Sequence, residues 1–290
     1  MKSGLVLAML VACATGAWSA QKYSAAGLVL KVDPSHRTIL LSCESIPGYM
    51  DAMIMPASVR DPKALAGIAA GEMVDFNLVV EKKSFYAESI HVRDFESLEQ
   101  QSLATRRLEI VEDIDSAKLP GAGQLKVGQQ LPGVVLTDQN RNEINLAGFA
   151  GKIVVVSFFY SHCPLPDYCF RLSNNLGNIQ RRFKSQMGRE LILLSVTFDP
   201  VNDQPEVLTN YARTWNADSN WHFLTGPLPE VRRVCNLFGV KFWPDEADLM
   251  HSLHTVIIDR QGRLAANLEG NQFTPRQLGD LVQTVLDESR

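Results

Sequence analysis

An apolar run over residues 153–160 leads straight into a loop holding two cysteines and two prolines, Cys163-Pro164-Leu165-Pro166-Asp167-Tyr168-Cys169. A short apolar run bounded by turn residues reads as a buried strand. Directly after it, Phe170, Leu172, Leu176, Ile179 and Phe183 recur close to helical spacing. Strand, thiol-bearing loop and helix in that order restrict this half of the chain to an α/β layout with both sulfurs at the head of a helix. The thiolate is the working form of cysteine in redox chemistry and in soft-metal binding alike. The positive end of the helix predicts a thiolate at Cys169 or just before it. Five residues separate the cysteines. A loop of that width can close on a metal, form a disulfide or act as a redox pair.

The flanking sequence alternates strand and helix patterns. Residues 152–160 and 190–198 read as buried strands, and 205–215 and Leu228–Phe238 as helices. A strand over 254–259 enters the turn Asp259-Arg260-Gln261-Gly262, and 264–268 returns from it. Thr274-Pro275 opens a last helix as N-cap and first-turn proline. The order βαβα, β-hairpin, α is that of a thioredoxin fold. His251 and His254 lie just ahead of the hairpin, so a Cys, Cys, His set is within reach. That donor set suits Cu(I) and is workable for Cu(II).

Residues 21–95 read differently, as a small β-domain. Strand patterns over 28–32, 38–41, 74–80 and 85–92 are separated by Asp33-Pro34-Ser35-His36, Ala70-Gly71-Glu72 and Glu81-Lys82-Lys83-Ser84. Asp61-Pro62 predicts one or two helical turns with proline at the first position. Met50, Met53 and Met55 fall within six residues. Thioethers favour Cu(I) over Zn(II). In a strand Met53 and Met55 share a face, and Met50 and Cys43 can reach them across a turn. A methionine-lined core is the competing explanation, because Met fills irregular space.

A length of 290 residues suggests two domains. Net charge is −4 with no long basic run, which makes nucleic acid and acidic membrane surfaces poor partners. Residues 1–20 read as an export signal: Lys2, an apolar stretch over 4–12, then small residues up to Ala20. Leu10-Val11-Ala12-Cys13 also fits a lipobox, so Cys13 is either discarded with the signal or carries a lipid anchor. Residues 96–125 are charged and suit a helical linker, broken by Leu119-Pro120-Gly121-Ala122-Gly123 before the 126–290 domain. His36 reads as solvent-facing, His91 as structural, and Cys235, Trp215 and Trp221 as core. Asp199-Pro200 ends a strand near the dithiol.

Residues 126–290 resemble the Sco/SenC family of copper-binding, thioredoxin-like proteins. The matching pieces are Val155-Val156-Ser157-Phe158-Phe159-Tyr160-Ser161-His162-Cys163-Pro164, Leu194-Ser195-Val196-Thr197-Phe198-Asp199-Pro200, Asn220-Trp221-His222-Phe223-Leu224-Thr225-Gly226, and His251-Ser252 with Asp259-Arg260-Gln261-Gly262-Arg263-Leu264. The resemblance implies copper held by Cys163, Cys169 and His251, and a role in building the copper centre of a respiratory oxidase. It implies an oxidase subunit or another copper-accepting protein as partner. His251 is preferred to His254 because the family histidine lies eight residues before the turn aspartate, here Asp259. The usual motif has three residues between the cysteines and a proline after the second. This chain has five and Phe170, as in the variant Cys-Pro-x-Pro-Asp-x-Cys.

Residues 24–93 resemble the CusF-type periplasmic copper-binding β-barrel, an OB-like fold. The match runs from Ile46 to Pro56, with Asp61-Pro62 and Gly71-Glu72-Met73-Val74. Cys43 stands where that family has histidine, and Met50 where some members carry a covering aromatic residue. The implied Cu(I) ligands are Cys43, Met53 and Met55, with Met50 as a fourth sulfur. Together the two resemblances imply a copper chaperone of the periplasm or cell envelope. The alternative is an extracytoplasmic thiol–disulfide oxidoreductase working through Cys163 and Cys169.

Overall fold

Alternation along the first strands sends side chains two ways, and each set finds a core. The computed structural model describes residues 20–81, 84–93, 123–245 and 248–288. The export signal with Cys13 and nearly all of the linker lie outside the described residues. Strands β1 (Gln21–Asp33), β2 (Thr38–Cys43), β3 (Ile54–Val59), β4 (Met73–Glu81) and β5 (Ser84–Val92) close a barrel in the order β1-β2-β3-β5-β4. β1 pairs with both β2 and β4, which seals it. Closure leaves no free sheet edge. Val29, Ile39, Leu41, Cys43, Met55, Ala57, Phe76 and Leu78 point inward. Asp61 caps the single turn Pro62–Leu65 by accepting from Lys63 N at 2.9 Å. His91 lies in β5 and is exposed.

The second domain contains β6 (Val135–Asp138), β7 (Glu143–Asn145), β8 (Ile153–Phe159), α1 (Arg171–Arg182), β9 (Leu191–Thr197), α2 (Pro205–Thr214), β10 (Trp221–Thr225), α3 (Leu228–Phe238), β11 (Phe242–Asp245), β12 (Asp248–His251), β13 (His254–Ile258), β14 (Leu264–Glu269) and α4 (Pro275–Glu288). Seven strands form one sheet ordered β14-β13-β8-β9-β10-β6-β7. β8, β9 and β10 run parallel, and β13 pairs antiparallel with β8. Every residue of β8 and β9 is buried, as continuous apolar runs in the middle of a covered sheet require. The thioredoxin core is β9-β8-β13-β14 with α1 and α4. A third βα unit (β10, α3) and the β6–β7 hairpin widen it beyond the predicted order. Thr274 caps α4: its Oγ1 accepts from Gln277 N at 3.2 Å, while Gln277 Oε1 accepts from Thr274 N at 2.8 Å.

The outward side chains of the barrel supply the contact between the domains. Leu28, Leu30 and Met73 belong to the core of the second domain rather than to the barrel interior. Ser42 Oγ donates to Asp280 Oδ2 at 2.8 Å, and Gln277 Nε2 donates to Ser42 O at 3.1 Å. Gly71, at φ +98°, lies against β14, and a Cβ there would sit 3.2 Å from Ala266 Cβ and 3.3 Å from Asn267 N. Only glycine combines that backbone conformation with so close an approach.

Candidate metal centre

The dithiol loop hangs between the end of β8 and the start of α1. Its first residues are anchored from β9. Asp203, fully buried, accepts from Ser161 N at 3.0 Å and from the hydroxyls of Ser161 and Thr197. Pro166–Phe170 then forms one wide turn, with Tyr168 at φ −107° and ψ −106°, before α1 continues. That turn carries Cys169 inward to 1% exposure and leaves Cys163 half-buried at the mouth. Asn271, in the β14–α4 loop, donates from its side chain to Asp167 O and ties the outer part of the turn.

His251 comes from the other side of the site. It ends β12, which pairs with β11 as a separate ribbon. Its Nδ1 lies 3.1 Å from Ser252 O. A carbonyl can only accept, so Nδ1 carries a proton and Nε2 faces the sulfurs. Nε2 lies 3.5 Å from Cys169 Sγ. The imidazole is 2% exposed and packed by Phe198 at 4.4 Å between centroids, with Tyr160 at 5.8 Å edge-on. Cys163 Sγ, Cys169 Sγ and His251 Nε2 or Nδ1 all fall within 4.8 Å of one another. Two soft sulfurs and an imidazole in that space are a three-coordinate donor set for a soft metal ion. His254 is not part of the converging group, and its Nδ1 bonds Asn267 Oδ1 at 2.9 Å.

The two thiols are unequal. A hydrogen bond from Cys169 pulls Cys163 down to about 4, with help from His251 and from backbone hydrogen bonds at Leu165 and Cys169. Burial pushes Cys169 well up, and the charge on Cys163 adds to that. The charge therefore sits on Cys163, at the mouth of the site, and not at Cys169 or just before it as the helix-end argument predicted. Burial of a charge outweighs a helix dipole, which offers at most ~2 kcal/mol. His162, with its ring edge-on to Tyr160, places Nε2 3.3 Å from Asp199 Oδ2 at the rim. Asp203 was missed in the sequence. Its donors are remote in the chain, and only the parallel β8–β9 pairing brings them together.

Selective alkylation reads this asymmetry. In the reduced, metal-free protein, Cys163 is expected to react with iodoacetamide at a rate that is flat from pH 7 to 5 and falls as pH drops through about 4. Cys169, and Cys43 at about 11, stay protonated and unreactive until unfolding. Per-residue mass spectrometry checks this, and a Cys163 rate that falls tenfold per pH unit from pH 7 downward would refute the assignment.

In the barrel, Cys43 ends β2 and its N–H donates to Met53 O at 2.9 Å. Leu41 pairs with Met55 across β2–β3, so Cys43 is opposite Met53 and diagonal to Met55 on one face. Met55 is 5% exposed, Met53 50%, and Met50 packs half-buried against the barrel core. The sulfurs thus run from the barrel interior to its rim. Beside them, residues 45–51 line an open cleft of about 530 Å³, and one of the lining rings, Tyr49, stacks on Tyr23 at 4.0 Å.

Comparison with known proteins gives two family matches. Residues 22–92 match the model for the copper binding periplasmic protein CusF. The SCO2-like protein of Rickettsia typhi is 28% identical over 170 residues, 54% of this chain and 80% of that one. A crystal structure from Aquifex aeolicus, of a chain assigned to electron transfer, superposes with a TM-score of 0.50 at 18% identity, covering 55% of this chain and 94% of that one. Yeast Sco1 crystallised with copper bound is 26% identical, with a TM-score of 0.48 over 55% of this chain and 90% of that one. Residues 132–287, more than half of the chain, match the SCO1/SenC model, and this chain belongs to the SCO1/SenC family.

Proposed function

We propose that this chain is an exported copper chaperone with two copper modules, residues 21–95 and 126–290. The observation that carries the reading is the convergence of Cys163, Cys169 and His251 within 4.8 Å, with one sulfur reaching solvent and two donors buried. Copper is cargo here. Cys163, already a thiolate, meets the incoming ion first. Binding then displaces the proton from Cys169, as metal binding to a thiol does. His251 Nε2 completes a trigonal site. Delivery reverses the order, an acceptor ligand replacing half-buried Cys163 at the mouth before the buried donors let go. Family membership supports a respiratory oxidase subunit, or another copper-accepting protein, as the acceptor.

The barrel would hold Cu(I) through Cys43, Met53 and Met55, with Met50 covering the ion. The match to a copper binding periplasmic protein supports both this role and a location in the periplasm or cell envelope. The export pattern of residues 1–20 points the same way, with Cys13 as the residue that would carry a lipid.

A second reading has its own support. A low-pKa, half-exposed Cys163 beside a protonated, buried Cys169 is the arrangement of an attacking and a resolving thiol. The thiolate–thiol pair would give two electrons and the Cys169 proton to a disulfide on the acceptor, the second proton coming from solvent, and become a disulfide itself. Copper stoichiometry tests the principal reading. The reduced chain is expected to bind two Cu(I), falling to one in Cys163→Ser. Uptake of one ion by the parent chain and none by the variant would remove the barrel site. Unchanged uptake in the variant would remove the dithiol site.

A further inference from the structure

The thiol-bearing end of β2 belongs to the barrel, yet the other domain holds it. Arg276, in the first turn of α4, donates from Nη2 to Cys43 O at 2.7 Å. Cys43 N–H already donates to Met53 O. Both main-chain polar groups of Cys43 are thereby pinned, one from within the barrel and one from outside it. The guanidinium is itself oriented: Nη1 donates to Asp280 Oδ2 at 3.1 Å, and that carboxylate is 5% exposed and also bonds Ser42 and Arg182. Five residues upstream of Arg276, Asn271 bonds the dithiol loop.

We propose that Arg276 is a positioning residue for the barrel's metal site. By holding the Cys43 carbonyl it fixes the end of β2, so the C-terminal domain completes a site whose ligands all come from the N-terminal one. Cys43 is the last residue of its strand. A strand end frays unless its main chain is tied, and a fraying ligand spends binding energy on its own ordering. The positive guanidinium beside Cys43 also offsets the negative charge that a ligating sulfur carries. The inference rests on Cys43, Met53 and Met55 being Cu(I) ligands.

The test uses the full chain carrying Cys163→Ser and Cys169→Ser, reduced, so that only the barrel reads out. Cu(I) affinity is measured by competition with a chromogenic Cu(I) chelator, alongside Tm. Arg276→Met is expected to weaken binding about 10–100-fold, the range seen when a supporting hydrogen bond is removed from a metal ligand. Arg276→Lys keeps the charge but has one ammonium for two acceptors, and is expected to fall between the two. Gly71→Ala strains the domain contact elsewhere; it is expected to lower Tm and leave Cu(I) affinity within twofold. The proposal is overturned if Arg276→Met binds within twofold of its parent, or if Arg276→Met and Gly71→Ala lose affinity in step with Tm. Should Arg276→Met not fold, parental affinity in a folded Arg276→Lys overturns it. No Cu(I) uptake by the parent double-serine chain instead refutes the barrel ligands themselves, and the proposal with them.

Discussion

His251→Ala is expected to weaken copper binding at the C-terminal site by more than about 100-fold, beyond what loss of a supporting hydrogen bond costs a metal site. The imidazole is one of three donors and the only one contributed from outside the dithiol loop. Its position is over-determined by β12, by the Ser252 carbonyl and by Phe198, Tyr160 and Tyr168. Among the described residues no other histidine, cysteine, aspartate or glutamate converges with the two sulfurs. The same change should leave disulfide exchange within a few-fold. Cys169, not His251, is the main reason that Cys163 is a thiolate. The two readings of the dithiol thus separate on one variant. Competition titration with a Cu(I) chelator and a thiol–disulfide exchange assay on the same preparation make the comparison. Equal loss in both assays would show that His251 serves thiol chemistry and not a metal.

Asp280→Ala should give the largest loss of stability among single changes at the domain contact. The carboxylate is 5% exposed and accepts from Ser42 Oγ at 2.8 Å, Arg182 Nη2 at 2.8 Å and Arg276 Nη1 at 3.1 Å. Breaking a buried charge pair by removing one partner costs about 3–5 kcal/mol. Here both guanidinium groups are more than a third exposed and water recovers part of the loss, so the low end, about 3 kcal/mol, applies. Ser42 is fully buried and gains no such relief. Tm should fall by roughly 6–12 °C on the scaling for chains of this size. Asp280→Asn keeps an acceptor for Ser42 and should lose less. An alanine variant that melts with the parent would mean that the polar network adds nothing to the apolar contact made by Leu28, Leu30 and Met73.

Much of the fold is legible in the chain because burial and periodicity are local. Residues 205–215 and Leu228–Phe238 carry apolar stripes at helical spacing, and α2 and α3 fall on them. Thr274-Pro275 marks the start of α4 because capping and proline geometry act within one turn. Short pairings are harder to read. β6, β7 and the β11–β12 ribbon have three or four residues each, too few to show a period. β10 is marked only by a motif. Its role as a sheet strand depends on pairing with Leu193–Val196 of β9, remote in the chain.

The candidate site divides along the same line. Residue identity settles the chemistry on offer: two thiols in one loop, a histidine eight residues before a hairpin turn, and methionines spaced for one face of a strand. Softness of sulfur and the period of a strand are properties of the residues themselves. Tertiary structure decides which thiol carries the charge, because burial is a property of the assembled fold. It places Cys169 inside and Cys163 at the mouth, and so reverses the expectation drawn from the helix end. It also decides that Asp203 anchors the dithiol loop and that Arg276 ties Cys43 to the other domain. Those contacts join residues tens to hundreds of positions apart. A hydrogen bond needs its partners within about 3 Å, and only the packed chain brings such distant groups that close.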